Sequence, residues 1–403
     1  MGAIVISLSR TTLIFRQPIF LATVLCLCWL GGPAHGVETI QTTAQQAVLM
    51  DEQSGTILYE KNARSLMLPA SLAKLMTAEV LFHEIKEGRF SLDQEFVISE
   101  NAWRKGGAPS GGSTMFAVIH SHVRIADLIS GLVVLSGNDA AIAIAEGVAG
   151  TEQAFAELMT RRARELGLNA SVFKNASGAD DPEQHTTALE LALLARHIIQ
   201  TYPDLYKFFG QKEFTWNKIR QLNRNPLLTM DIGADGLKTG NLEESGFGLV
   251  GSAVQNGERL IVVINGAPTA KDRANEGRKL LEFGFRSFEG QDLFPEGAVV
   301  ASANVYGGEK STVDLRAQGP IRVVTQRGAR EKLSAKLIYD GPLVPPVSAG
   351  TRVGILRVSE GEAPILDVPL FAAESVGKGG LTRQAEDALL EAGGNAVRRL
   401  LKR

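Results

Sequence analysis

Cysteine is almost absent. The 403-residue chain has two, Cys26 and Cys28, both inside one apolar run near the N-terminus, "IFLATVLCLCWL". Elsewhere there is no thiol for nucleophilic chemistry, no disulfide framework and no cysteine metal ligand. An excess of one charge is also missing. The 42 Lys and Arg nearly balance 44 Asp and Glu, for a formal net charge of -2, and no basic stripe points to nucleic acid. The 6 histidines lack metal-ligand spacing. His120 and His122, in "IHSHV", are expected to be neighbours on one face of a strand. Neither a metal nor a cofactor is expected. No apolar run after residue 36 is long enough for a membrane span. "GGEKS" is not a phosphate loop, and no Gly-x-Ser-x-Gly elbow marks a Ser-His-Asp hydrolase.

The apolar run itself has a pattern. Arg10 and Arg16 precede it, and small residues ending in Ala34-His35-Gly36 follow. This is the pattern of a secretory leader, expected to occupy residues 1–36. Roughly a dozen apolar residues are too few for a comfortable membrane span. A leucine precedes each cysteine, where lipidation wants a small residue. Losing Arg10 and Arg16 with the leader takes the formal charge from -2 to -4. The remaining chain of about 370 residues is long enough for two domains.

The first of these is expected over residues 37–288. "QQAVLMDEQSGTILYEKN" reads as a hairpin around Gln53-Ser54-Gly55, followed by a helix opening after Pro69. Helical patterns then dominate from Ser91 to Phe214, including "IADLISGLVVL" and "TEQAFAELMTRRARELGL". They are interrupted by polar, Gly-rich loops at Arg104–Thr114 and Asn175–Thr187. Strands return at "GADGLKTG" and in "FGLVGSAVQNGERLIVVING", where Asn256-Gly257 suits a tight primed turn. A helix from Ala270 to Phe285 closes the segment. Strands at both ends with helices between them predict an α+β domain, one antiparallel sheet with a helical lobe and a cleft between. Residues 289–377 alternate apolar and polar positions and predict a small all-β domain. Residues 378–403 form an amphipathic tail, with Leu389, Leu390, Val397, Leu400 and Leu401 at helical spacing and a basic end.

The chemistry starts at "PASLAKLMTA". Ser71 and Lys74 are three apart, a spacing that brings Cβ atoms within about 5–6 Å on a helix. A serine hydroxyl needs a base, and a lysine serves as one only when neutral. Burial lowers a lysine pKa by up to about 3–5 units, and a neighbouring cation pushes the same way. A lysine in apolar company is therefore what this chemistry requires. Two further clusters follow in order: "LSGNDA", with Ser136 and Asn138 at a helix break, and "LKTG", with Lys238, Thr239 and Gly240 at a strand end. Ser-x-x-Lys, Ser-x-Asn and Lys-Thr-Gly are each weak signals, but the ordered trio is strong.

With these motifs the chain resembles the low-molecular-mass penicillin-binding proteins that act as serine-type D-alanyl-D-alanine carboxypeptidases. The resemblance extends through "SENAWRKGGAPSGGSTMF" to the β domain and the tail. It implies a transpeptidase/β-lactamase-like catalytic domain, peptidoglycan stem peptides as substrate and β-lactams as covalent inhibitors. It further implies Ser71 as nucleophile, Lys74 as base, Ser136 as proton relay, and Asn138 as a contact to the substrate amide and to Lys74. Lys238 would keep Lys74 neutral and, with Thr239 and Arg273, bind the terminal carboxylate. Gly240 would let substrate backbone approach the strand edge, and the N–H groups of Ser71 and Asn241 would hold the oxyanion. The leader and tail imply a periplasmic enzyme at the outer face of the inner membrane, with the tail as an interfacial helix.

Two departures from the family pattern stand out. Asn241 follows Lys-Thr-Gly where many relatives have histidine, and Ala188-Leu189-Glu190 replaces Ala-Arg-Asp or Ala-Tyr-Asp. Two other readings stay open. A class A β-lactamase is suggested by "ELGLN", where Glu165 fits a deacylating glutamate but falls at the end of a regular helix. A non-hydrolytic cell-wall binding module on the same fold is the other.

Overall fold

In a computed structural model of the chain, residues 2–6, 40–328, 333–381 and 383 are described. They divide into two compact units, one of residues 40–288 and a second made of the described residues from Glu289 onward with Gly2–Ile6.

The larger unit is built on a five-stranded antiparallel sheet. Its strand order is Ile57–Lys61, Gln46–Asp51, Glu258–Ala267, Gly246–Gln255, Ala234–Leu242. The first two strands form the expected hairpin. Gly246–Gln255 and Glu258–Ala267 form the second, with Asn256 and Gly257 at φ 52° and 80°, the left-handed pair a primed turn needs. The central strands are apolar on both faces because both are covered. Val48, Met50, Ile261 and Val263 face the helical lobe, while Ala47, Leu49, Val262 and Ile264 face the helix Ala270–Ser287. That helix lies close to the sheet because Gly277 and Gly284 leave room for Leu249, Leu260 and Leu49.

The lobe contains the helices Lys74–Lys86, Ile125–Val133, Asn138–Ala149, Glu152–Glu165 and Ala188–Thr201. Lys74–Lys86 departs from an amphipathic pattern: residues 74–82 are buried on every side, as befits a helix at the centre of the lobe. A second departure precedes it. The chain after Pro69 first makes a 3-10 turn, Ala70–Ala73, and the α-helix begins only at Lys74. In a 3-10 turn, residues three apart eclipse one another, so the Ser71–Lys74 spacing is met more directly than on an α-helix. His120 also differs from expectation. It occupies a turn at φ 62°, and the short strand His122–Arg124 begins after it.

The smaller unit is all-β. Its six-stranded sheet runs Gly2–Ile6, Leu333–Tyr339, Arg352–Glu360, Ala363–Ala372, Thr312–Arg316, Ala301–Asn304, and a separate pair joins Phe288–Phe294 to Ile321–Gln326. Alternate residues such as Val313, Leu315, Ile321, Val323, Ala335 and Leu337 form its core. Gly2–Ile6, within the expected leader, runs antiparallel to Leu333–Tyr339. The remainder of that leader and nearly all of the amphipathic tail lie outside the described residues.

Candidate active site

Ser71 reaches the site on a turn pressed between two partners. On one side Gly178, at φ +76°, leaves no room for a side chain: a Cβ there would meet Ala70 O at 1.8 Å. On the other lies the strand Ala234–Leu242. A Cβ on Gly240 would meet Leu72 Cγ at 3.1 Å and Pro69 O at 3.2 Å. The missing side chain of Gly240 therefore lets the strand pack against the Ser71 turn. That strand is the last of its sheet, so its outer edge carries no partner strand among the described residues.

Lys74 is fully buried. Its Nζ lies 3.0 Å from Ser71 Oγ, 2.8 Å from Asn138 Oδ1 and 2.5 Å from the carbonyl of Ser177. A neutral amine has two N–H groups and one lone pair. Two of these neighbours can only accept, which directs the lone pair at the third, the Ser71 hydroxyl. Burial is the main cause lowering the Lys74 pKa to about 7; Asp139 and Glu152 oppose it, and Arg224 assists. Lys238, expected to hold Lys74 neutral, is coupled to it by like-charge repulsion. It is itself pushed well below its ordinary value, first by burial and then by Lys74, Arg224 and Arg273.

Ser136 sits at φ 60° between the helices Ile125–Val133 and Asn138–Ala149, and its Oγ accepts from Lys238 Nζ at 2.9 Å. Lys238 also donates to Thr239 O at 2.8 Å. Asn138 is held from behind. Its N–H donates to Ser113 O at 2.8 Å, and a Cβ on Gly106 would strike the Asn138–Asp139 backbone, so the helix Glu100–Gly106 fits closely there. Arg273, on Ala270–Ser287, lies 5.7 Å over the Phe247 ring. Its Nε is buried without a hydrogen-bond partner, and burial lowers its pKa. Phe247 pairs with Asn241, whose side chain is exposed. The fold thus gathers Ser71, Lys74, Ser136, Asn138, Lys238 and Thr239, with Gly240 and Asn241 continuing the edge and Arg273 near Lys238.

Several participants escaped the sequence reading. The Asn175–Thr187 loop covers Lys74 through Ser177, and Asn175 Oδ1 shapes it by accepting from the N–H groups of Gly178 and Ala179. "NASG" is turn chemistry and was the available signal. Asp139, the residue after Asn138, is a buried carboxylate accepting from Thr114 Oγ1 and the N–H groups of Met115, Ala117 and Ala140. It fastens the preceding loop to the helix. Arg224 lies beside Asn225, whose amide donates to Gly236 O at 2.7 Å. Glu190 has a structural role, accepting from Ala170 N–H and Ser171 Oγ. Glu165 is exposed at a helix end and paired with Arg162 at 2.8 Å. Among the described residues, no group of three His, Cys, Asp or Glu side chains is arranged to hold a metal ion, and no helix is long and apolar enough to cross a membrane.

Comparison with known proteins follows the same division of the chain. The model of the S11 peptidase family, D-alanyl-D-alanine carboxypeptidase, matches residues 34–269, and that of the penicillin-binding protein 5 C-terminal domain matches residues 288–378. D-alanyl-D-alanine carboxypeptidase DacC of Escherichia coli K12 is 38% identical over 357 residues, covering 88% of this chain and 89% of its own. The crystal structure of penicillin binding protein 5 from Haemophilus influenzae superposes with a TM-score of 0.81 at 36% identity, covering 85% of this chain and 100% of its own. Penicillin-Binding Protein D2 from Listeria monocytogenes, solved in an ampicillin-bound form, matches with a TM-score of 0.55 at 29% identity over 61% of this chain and 99% of its own. The chain belongs to the serine-type D-alanyl-D-alanine carboxypeptidases of the S11 family, the low-molecular-mass penicillin-binding proteins of the bacterial cell wall.

Proposed function

We propose that this chain is an exported carboxypeptidase that removes the terminal D-alanine of peptidoglycan stem peptides through an acyl-enzyme on Ser71. The observation that carries the reading is Lys74, buried and poised near pKa 7 with its lone pair free for the Ser71 hydroxyl. Lys74 takes the Ser71 proton as Oγ bonds to the carbonyl carbon of the D-Ala-D-Ala link. The carbonyl electrons move to oxygen, where the N–H groups of Ser71 and Asn241 receive them. Losing one such donor costs roughly 2.7–4 kcal/mol of transition-state stabilisation. When the C–N bond breaks, the proton passes from Lys74 through Ser136 to the departing amine. Lys238, Thr239 and Arg273 bind the terminal carboxylate, which restricts cleavage to the last residue. Asn138 holds the substrate amide, and peptide backbone adds along the free edge of Ala234–Leu242. Water then hydrolyses the ester.

A β-lactam presents the same carbonyl and carboxylate and acylates Ser71 in the same way, with a slow second step. Glu165, paired with Arg162 at an exposed helix end, supports no deacylating role of the β-lactamase kind. Residues 1–36 act as an export leader, and the amphipathic tail rests on the outer face of the inner membrane. Two measurements test the reading on a chain running from Val37 to Arg403. Mass spectrometry of the penicillin-treated protein is expected to find the adduct on Ser71, and D-alanine is expected from an acyl-D-Ala-D-Ala peptide. Neither should occur in Ser71→Ala; an adduct elsewhere, or retained release, refutes the assignment.

A further inference from the structure

Most of the buried positions on the helix Lys74–Lys86 are apolar. Thr77 is an exception that no step of the reaction uses. Valine has nearly the same shape, so packing gives no reason for a hydroxyl there, and a buried hydroxyl is costly unless it is hydrogen-bonded. Thr77 is fully buried, and its Oγ1 donates to Ala176 O at 2.7 Å, with Met159 Sδ at 3.8 Å. It stands three residues after Lys74, on the same face of the helix. The Asn175–Thr187 loop is thereby tied to the helix of the base at two successive carbonyls. Thr77 holds that of Ala176, and Lys74 donates to that of Ser177 at 2.5 Å.

Ala176 is held from its other side as well. Its N–H donates to Glu152 Oε1 at 3.4 Å. The Gly178 N–H, at the far end of the peptide group that carries the Ser177 carbonyl, donates to Asn175 Oδ1 at 2.7 Å. Glu152 opens the helix Glu152–Glu165. Burial raises its pKa and Glu146 adds to the rise, while the Ala176 N–H, Lys105 and Lys74 oppose it. Lys174 and Asp181 line the same side. The charged groups that act on Lys74 itself are Asp139, Arg224, Glu152 and, by mutual repulsion, Lys238. Glu152 therefore meets the amine in two ways, through the loop it holds and through its charge.

We propose that Thr77 and Glu152 are positioning residues for the base: they clamp Ala176 so that the next carbonyl, that of Ser177, takes a Lys74 N–H and leaves the amine lone pair facing Ser71. The inference deepens the reading of Lys74 as base and rests on it. Both residues act through Ala176 and not on the substrate.

The test is the pH profile of acylation by a fluorescent penicillin, read as a midpoint and a limiting rate. In Thr77→Val the Ser177 carbonyl retreats, and the limiting rate should fall about fivefold, as for a lost hydrogen bond. That carbonyl favours the ammonium, so the midpoint should also move to lower pH. A simple loss of folded enzyme would scale the rate at every pH and leave the midpoint alone. Thr77→Ser keeps the donor and should restore both values. Glu152→Gln keeps an acceptor for Ala176 but removes the anion. Its midpoint should fall by about half a pH unit, a roughly two- to threefold faster rate at pH 6. Glu152→Ala loses the acceptor too, and its limiting rate should lie several-fold below that of Glu152→Gln; this pair decides the matter if Thr77→Val does not fold. A wild-type midpoint in Thr77→Val or Glu152→Gln, no rescue by Thr77→Ser, or equal limiting rates in the two Glu152 variants overturns the clamp alone. Absence of acylation in the wild type overturns the reading of Ser71 and Lys74, and the clamp with it.

Discussion

Acylation should follow the titration of Lys74. With its pKa lowered to about 7, the amine passes from protonated to neutral across the physiological range. Only the neutral form takes the serine proton, so the rate must rise with pH. For a single group near 7, the neutral fraction is about one-tenth at pH 6 and about nine-tenths at pH 8, close to a tenfold rise in rate. Arg224 gives a second handle, since its charge helps to lower the Lys74 pKa. Arg224→Gln removes a cation, which raises that pKa, moves the midpoint to higher pH and slows acylation at pH 7. The sign would be opposite if Lys74 acted as a cation. The assay is the second-order rate of a chromogenic β-lactam or fluorescent penicillin under single-turnover conditions from pH 5.5 to 9. This window avoids the carboxylates and ordinary lysines. A flat profile, or a midpoint near that of an ordinary lysine, would refute the idea that burial supplies the base. A midpoint moving to lower pH in Arg224→Gln would refute the assigned electrostatics.

Other outcomes follow from the same geometry. Gly178→Ala places a methyl group against Ala70 O on a left-handed backbone, so thermal unfolding should show a loss above roughly 1 kcal/mol and acylation should slow as the Ser71 turn shifts. Arg273→Gln should lower kcat/KM for a D-Ala-D-Ala peptide by roughly ten- to a hundredfold, as for loss of a charged hydrogen bond, while a peptide ending in an amide shows little change. Glu165→Gln should leave the hydrolysis rate of the penicilloyl adduct within about twofold, because only an exposed ion pair is lost. A chain ending at Gly380 should leave the membrane fraction after sedimentation while the full chain stays; equal pelleting removes the anchoring role.

How much of this was legible beforehand depended on distance along the chain. The Asn256-Gly257 hairpin, the alternating strands of the smaller unit and the break at Ser136 are local, written in turn chemistry and periodicity. The order of the three motifs was legible because each is a short word on one element. Which groups hold Lys74 was not. Ser177 lies 103 residues away, its contribution is a backbone carbonyl, and no side-chain pattern announces that. Burial as the main cause lowering the Lys74 pKa was legible in its apolar neighbours, whereas the share of Arg224, which lies far along the chain, was not.

The one-dimensional chain thus determined the chemistry: an alcohol three places before an amine, a serine and asparagine at a helix break, and a Lys-Thr-Gly strand. Tertiary structure alone decided the arrangement. It chose a 3-10 turn over an α-helical one at Ser71, turned the bare face of Gly240 toward that turn, made Asp139 a fastening and Glu190 a brace, and left Glu165 in solvent. The physical reason is that proton affinity, steric room and hydrogen-bond supply are properties of a residue's surroundings, and those come together only when segments a hundred residues apart are packed.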